Sequence, residues 1–227
     1  MRRNHQFTAL NLDKHFTDII CMSILAGIFG GRLVEVISND TTYPHWYNWL
    51  ALWEGGFSAL GSILGVIIIM PFYIKKIGIP VVPLFDLMAI YAPLFQSIAR
   101  IGCLTAGCCH GIATDSIMGI IYTNPETIAQ CNVAVHPTQM YSSLTLFCIF
   151  LFMYCVAQNQ LKKPGLLFTT YLMLASAERF IIDFWRADRI MFSHTNISLH
   201  QLIALTIFTI ALIAFIWLLI PKTNTRK

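Results

Sequence analysis

Charge is the scarcest commodity in this chain. Asp, Glu, Lys and Arg make up 11% of its 227 residues, against roughly 25% in a soluble domain. That shortage excludes a water-soluble globular fold, and the mean hydropathy of +0.65 agrees. Low-complexity tracts and internal repeats are missing, and no stretch reads as a separate soluble domain. The first apolar stretch carries GGRLVE where a secretory leader would have a small-residue cleavage site. It therefore reads as a retained helix. The C-x-x-C knuckle is absent too, which weighs against a conventional zinc site.

What fills the chain is apolar sequence in windows near the roughly 20 residues that cross a bilayer as helix. They fall at about 17–37, 51–74, 83–101, 138–158, 164–184 and 198–220. We expect an all-α, polytopic integral membrane helix bundle of six transmembrane helices, a single transmembrane domain over 1–227. Short cytoplasmic loops retain Lys and Arg. Arg2, Arg3 and Lys14 precede the first window, Lys75 and Lys76 follow the second, Lys162 and Lys163 the fourth, and Lys222, Arg226 and Lys227 the last. Six spans put all of these on one side, so both termini are expected in the cytoplasm. The formal net charge of +4 then reflects topology, and nucleic acid is not an expected partner.

The remaining basic residues are Arg32, Arg100, Arg179, Arg186 and Arg189, with no lysine among them, and all fall in or beside the outer half of the membrane. A guanidinium grips phosphate through two parallel hydrogen bonds where lysine offers a point charge, and ionisable groups at membrane depth point to function. The plainer alternative is pairing with acids, and Arg32 with Glu35 and Arg179 with Asp183 have the helical spacing for it. On a continuous helix Arg179, Asp183 and Arg186 would place plus, minus, plus on one face, a stripe that a lipid phosphate would stabilise. Glu54 enters an apolar window beside Tyr43, Trp46, Tyr47, Trp49 and Trp53 and needs a partner or a cavity. Asp86, at the start of the third window, reads as a helix cap. The small residues of WEGGFSALGSILG, with Gly27 and Gly31 four apart in the first window, suit close helix packing.

Cys21, Cys148 and Cys155 read as small buried hydrophobes. Cys103, Cys108, Cys109 and Cys131 fall on or near the outer side, where disulfides persist. For ARIGCLTAGCCHG, residues 99–111, four readings stand: a glycine-rich turn that lets Arg100 face a headgroup, a disulfide involving Cys131, a metal site, or a thiol made acidic by Arg100 and His110. Adjacent cysteines rarely face one ion unless the backbone is unusual. The residues alone leave all four open.

Taken together, GGRLVEVI, WEGGFSALGSILG, ARIGCLTAGCCHG, HPTQMY and RFIIDFWRAD occur in an order that resembles the prolipoprotein diacylglyceryl transferase family, over about residues 17–220. The resemblance implies a bacterial inner-membrane enzyme. It implies transfer of the diacylglyceryl group of phosphatidylglycerol to the cysteine thiol of a prolipoprotein signal peptide, with glycerol phosphate released and a thioether formed. It also implies no metal and no cofactor. Arg100 corresponds to the arginine of the family's G-R-x-G-N signature, with Ala99 for its first glycine and Cys103 for its asparagine; Cys108 stands where glutamate is usual. His136, Pro137, Gln139 and Tyr141 match H-P-x-Q-x-Y, with Ser142 for the following acid. Arg179, Asp183 and Arg186 match the last motif, with Asp for the more usual Glu. Leu60 occupies the place of the essential histidine of the second motif, and the first helix here resembles the family's second.

The chemistry so implied needs a held phosphate and a deprotonated thiol. Arg100, Arg179 and Arg186, with Arg32, Asp183, Gln139 and Tyr141, are the expected lipid-binding residues. His136 and Glu54, together with Arg100 and Arg179, are the expected catalytic ones. Two other classes stay open: a paralogous transferase with a different acceptor, and a non-catalytic lipid-binding or redox membrane protein.

Overall fold

A computed structural model describes residues 12–38, 58–125, 127, 129–189, 191 and 197–220. Glu54, the aromatic residues at 43–53 and both termini lie outside them. Along the chain run α1 (Leu12–Ser38), α2 (Ala59–Lys76), α3 (Val81–Ala106), β1 (Ile120–Ile121), β2 (Ala134–Val135), α4 (Thr138–Phe152), α5 (Leu166–Ile182) and α6 (Leu199–Leu219). Helix α4 continues through a π-turn, Met153–Ala157, to Gln160. Among the described residues, four helical segments are long and apolar enough to cross a membrane: Thr17–Ile37, Val81–Ala106, Thr138–Gln160 and Leu199–Leu219. Helices α2 and α5 are shorter, at 18 and 17 residues. Exposed Ile, Leu and Phe side chains cover the outward faces, as at Phe72, Phe95 and Ile213, a surface matched to hydrocarbon with all helical hydrogen bonds kept inside.

The chain divides into two compact units, Met1–Leu84 and Phe85–Lys227. In the first, α1 packs on α2, and small residues set the distance. A Cβ built on Gly65 would sit 2.3 Å from the Ala26 carbonyl oxygen, and one on Gly61 2.4 Å from that of Gly30. This is the close approach expected of small-residue helix pairs in lipid. The contact runs through Gly30; a Cβ on Gly27 would meet nothing nearer than 3.7 Å. Gly65→Leu is therefore expected to lower the thermal midpoint in detergent by an overpacking cost of about 1–3 kcal/mol or more, whereas Gly27→Ala should leave it within a degree or two. Equal midpoints for the two variants would contradict the close-contact account.

In the second unit α5 packs against both α4 and α6. Ala89 and Ile90 of α3, Leu146, Ile149 and Met153 of the α4 segment and Leu167 of α5 form the core cluster. Asp86 is a cap, as the sequence suggests, but for a different helix. Its Oδ2 accepts from the Gly165 backbone N–H at 2.6 Å and its Oδ1 from that of Phe168 at 2.8 Å. The reason is local. Helix α5 begins after Gly165, in the left-handed region with φ 92°, and glycine has no side chain to satisfy the orphan amides of the first turn. A carboxylate from α3 supplies what the cap position lacks. Helix α6 is closed by Ser198 and Gln201, whose side chains each accept the other's backbone N–H at 3.1 and 3.0 Å, a reciprocal capping box.

Candidate functional site

Three pieces of the second unit meet around the cysteine turn. Helix α3 stops at Ala106 because Gly107 turns left-handed, with φ 69°, and Cys109 does the same at φ 59°. For a residue with a Cβ that conformation costs roughly 1–2 kcal/mol. The turn is anchored from α4, where Thr138 Oγ1 donates to the Cys109 carbonyl at 2.8 Å and Gln139 Nε2 to that of Cys108 at 2.7 Å. From the segment after α5, the His110 carbonyl accepts the Ala187 N–H at 3.2 Å and the Trp185 carbonyl accepts that of Ile112 at 2.9 Å. Gly111 threads between these pieces: a Cβ there would lie 2.6 Å from both the His136 Cβ and the Trp185 carbonyl oxygen.

The double reversal gathers sulfur. The Sγ atoms of Cys103, Cys108 and Cys109 lie within 4.8 Å of one another, all three as free thiols. Cys131 takes no part; its thiol donates to the Asn124 carbonyl at 3.4 Å. Burial pushes the Cys108 thiol up to about 11, and hydrogen bonding to Cys103 adds to it. Burial also opposes ionisation of Cys109, but the hydrogen bond from Arg186 and the charges of Arg186 and Arg100 outweigh it and leave Cys109 more acidic than an ordinary thiol. The thiolate is the reactive form. In chelator-treated protein, iodoacetamide should accordingly modify Cys109 near neutral pH and Cys108 only under strongly alkaline conditions. Peptide mapping after timed alkylation checks the order, and equal rates would contradict it.

Arg186 does not lie on the helical face with Arg179 and Asp183. Helix α5 ends at Ile182, a 3-10 turn covers Asp183–Trp185, and Arg186 is extended, with φ −77° and ψ 144°. The i+7 relation assumed a helix that does not continue. Arg186 instead pairs with Asp188, its Nε donating to Oδ1 at 2.7 Å and its Nη2 to Oδ2. Burial disfavours the charge on Arg186, but these bonds and the one to Cys109 outweigh it; the Arg186 hydrogen bond holds Asp188 below the usual carboxylate range. Asp183, completely buried, is an anchoring point. Ser198 donates to its Oδ2, Arg189 Nε stands 3.4 Å from the same atom, and Arg179 Nη2 and His200 Nδ1 each lie 4.0 Å from Oδ1.

Arg100, two turns before the end of α3, forms no hydrogen bond or ion pair among the described residues. Its charge reaches Cys109, Glu178 and Arg179, and that of Arg186 reaches Arg179 as well. The charges of Arg100 and Arg186 thus both act on Arg179. An open cleft of about 350 Å³ is lined by His136, Tyr141, Ile182 and Trp185, and His136 Nδ1 faces the Tyr141 hydroxyl at 3.3 Å. Gln139 is buried, with its Oε1 free of any partner among the described residues. Arg32 is buried in α1, and Leu60 stands in the first turn of α2, both in the other unit.

The residue that sequence reasoning missed is Glu178, buried in α5 and bonded to Ser142, which donates to Oε1. Ser142, noted only as the replacement for an acid, is the partner of one. The signal lay in ERFIID, where Glu178 directly precedes Arg179, but i, i+4 spacing drew attention to the neighbouring face.

The family model for prolipoprotein diacylglyceryl transferase matches residues 1–217. A phosphatidylglycerol--prolipoprotein diacylglyceryl transferase of Clostridium tetani (strain Massachusetts / E88) is 32% identical over 176 residues, 78% of this chain and 70% of the relative. The enzyme designated 2 in Clostridium perfringens (strain 13 / Type A) is 33% identical over 179 residues, 78% and 69%. That of Dehalococcoides mccartyi (strain ATCC BAA-2100 / JCM 16839 / KCTC 5957 / BAV1) is 31% identical over 207 residues, 91% and 78%. The matched residues include every arginine of the cluster, and the chain belongs to the prolipoprotein diacylglyceryl transferase family.

Proposed function

We propose that the protein transfers the diacylglyceryl group of phosphatidylglycerol to the cysteine thiol of a prolipoprotein signal peptide, from within the bacterial inner membrane. The observation that carries this reading is the mutual electrostatic reach of Arg100, Arg179 and Arg186, with Arg100 making no hydrogen bond or ion pair among the described residues. A guanidinium at membrane depth without a carboxylate partner is costly, and a lipid phosphodiester supplies the anion. In the reaction the acceptor sulfur attacks the glycerol carbon that bears the phosphate. The carbon–oxygen bond breaks, a thioether forms, and glycerol phosphate departs with the electron pair. The arginines stabilise the charge growing on the leaving oxygen.

Asp183 positions Arg179 at 4.0 Å, Asp188 fixes Arg186, and the buried Gln139 offers a free acceptor for a hydroxyl of the lipid headgroup. His136 and Tyr141 stand at the cleft as acid–base and hydrogen-bonding groups; Glu54, which lies outside the described residues, is proposed as a further catalytic group. The proposed topology is one transmembrane domain of six spans: the four long helices with α2 and α5, both termini cytoplasmic. The test is transfer of labelled diacylglyceryl from phosphatidylglycerol to a lipobox peptide by the purified full chain, with the Leu60→His variant alongside. Transfer by the unmodified protein is expected. No transfer to the peptide, with label appearing on another acceptor, would replace this reading by that of a paralogous transferase.

A further inference from the structure

The cysteine turn is not needed to hold a phosphate, yet it is built with care. Adjacent cysteines normally diverge, and here two left-handed residues, Gly107 and Cys109, turn both thiols toward Cys103, so that the three sulfur atoms fall within 4.8 Å of one another. Three thiolates bound to one zinc ion at about 2.3 Å stand about 4 Å apart. Side-chain rotation alone closes the difference, because the backbone is already held. Thr138 and Gln139 clamp the carbonyls of Cys109 and Cys108, the kind of outer support that orients metal ligands. Among the described residues the group comprises these three sulfurs and no carboxylate or imidazole. A divalent ion with three thiolates carries one net negative charge. The charges of Arg186 and Arg100, both of which reach Cys109, compensate that charge.

We infer that Cys103, Cys108 and Cys109 hold a thiophilic metal ion of the zinc class, and that its open fourth position takes the acceptor thiol and ionises it beside the lipid phosphate. The second half rests on the transferase reading above. Four-coordinate zinc with three protein ligands keeps one position for water or substrate, and a thiol coordinated to such an ion is deprotonated outright. The released proton passes to solvent, the sulfur keeps its electron pair, and the pair then forms the carbon–sulfur bond. Three ligands suit this task better than four, because a closed tetrahedral site has no place for a substrate.

The first experiment measures binding without activity. Purified, reduced full-length protein is titrated with Cd2+ alone, and thiolate-to-cadmium charge-transfer absorption is read in the ultraviolet. One equivalent with the intensity of three thiolates is expected, lost in Cys103→Ser and Cys109→Ser and unchanged in Cys131→Ser. Circular dichroism and thermal midpoints establish that each variant is folded. No saturable binding, or a disulfide linking two of the three cysteines in the peptide map of protein purified without reductant, overturns the metal site. The second experiment follows lipobox transfer after chelation and after Zn2+ is restored. A fall of about 100-fold or more, the scale of proton-transfer catalysis, with recovery on zinc, supports activation of the thiol. Undiminished transfer by the metal-free protein overturns that role even if cadmium binds. Cadmium binding with no transfer in any state leaves the ion site standing and refutes the transferase reading.

Discussion

Arg100→Ala should lower diacylglyceryl transfer by about 10²–10³-fold, the usual cost of removing one charged or hydrogen-bonding group that stabilises a developing anion. Arg179 and Arg186 are each tied to an aspartate, at 4.0 Å from Asp183 and 2.7 Å from Asp188. Arg100 has no such partner among the described residues, so its fork is the one free to meet the phosphate. Two consequences separate this from a structural role. Thermal stability should change little, since the substitution breaks no ion pair among the described residues and removes repulsion with Arg179 together with attraction to Glu178. Arg100→Lys should recover only part of the rate, because a point charge does not replace two parallel hydrogen bonds. Wild-type turnover in Arg100→Ala would remove the main support for the anion site.

Asp183→Ala should be the most damaging single change to the second unit. The carboxylate is completely buried and faces Arg179, Arg189, His200 and the cap residue Ser198. Taking away one side of a buried charge cluster costs about 3–5 kcal/mol, because the remaining guanidinium groups lose their counterion without regaining water. The loss should also loosen the start of α6, whose cap hydroxyl is held by Asp183, and so expose sites near Ser198 to proteolysis. Asp183→Asn keeps the shape and one acceptor and should fall between. The measurement is the thermal midpoint in detergent with limited proteolysis; an Asp183→Ala variant that melts with the wild type would contradict the anchoring role.

Much of the site was legible because its parts are local. HPTQMY and RFIIDFWRAD announce His136, Tyr141, Arg179 and Asp183 by type and spacing; the structure sets His136 beside Tyr141 and Arg179 beside Asp183, within reach of the charge of Arg100. One reading failed where a helix was assumed to continue, and another, Asp86 as a cap, held for a helix other than the one that carries it. Arg186 left the helical face when α5 tightened into a 3-10 turn. Asp86 capped α5 from α3, because Gly165 has no side chain to do so. Glu178 went unnoticed because its partner, Ser142, is 36 residues away, and no periodicity links the two.

The amino-acid sequence by itself determined the class of molecule. Apolar windows of bilayer length, few charges, arginine where lysine is absent and five motifs in family order require nothing beyond composition and local spacing, because transfer free energy and helix periodicity are properties of short segments. The tertiary structure alone decided which charges are neutralised and which remain available. It paired Arg186 with Asp188, enclosed Asp183 among cations, left Arg100 without a partner among the described residues, and folded three separated or adjacent cysteines into one cluster. Those outcomes depend on where the backbone reverses, at Gly107, Cys109 and the end of α5. A reversal sets distances between residues far apart in the chain, and electrostatics and coordination are governed by distance.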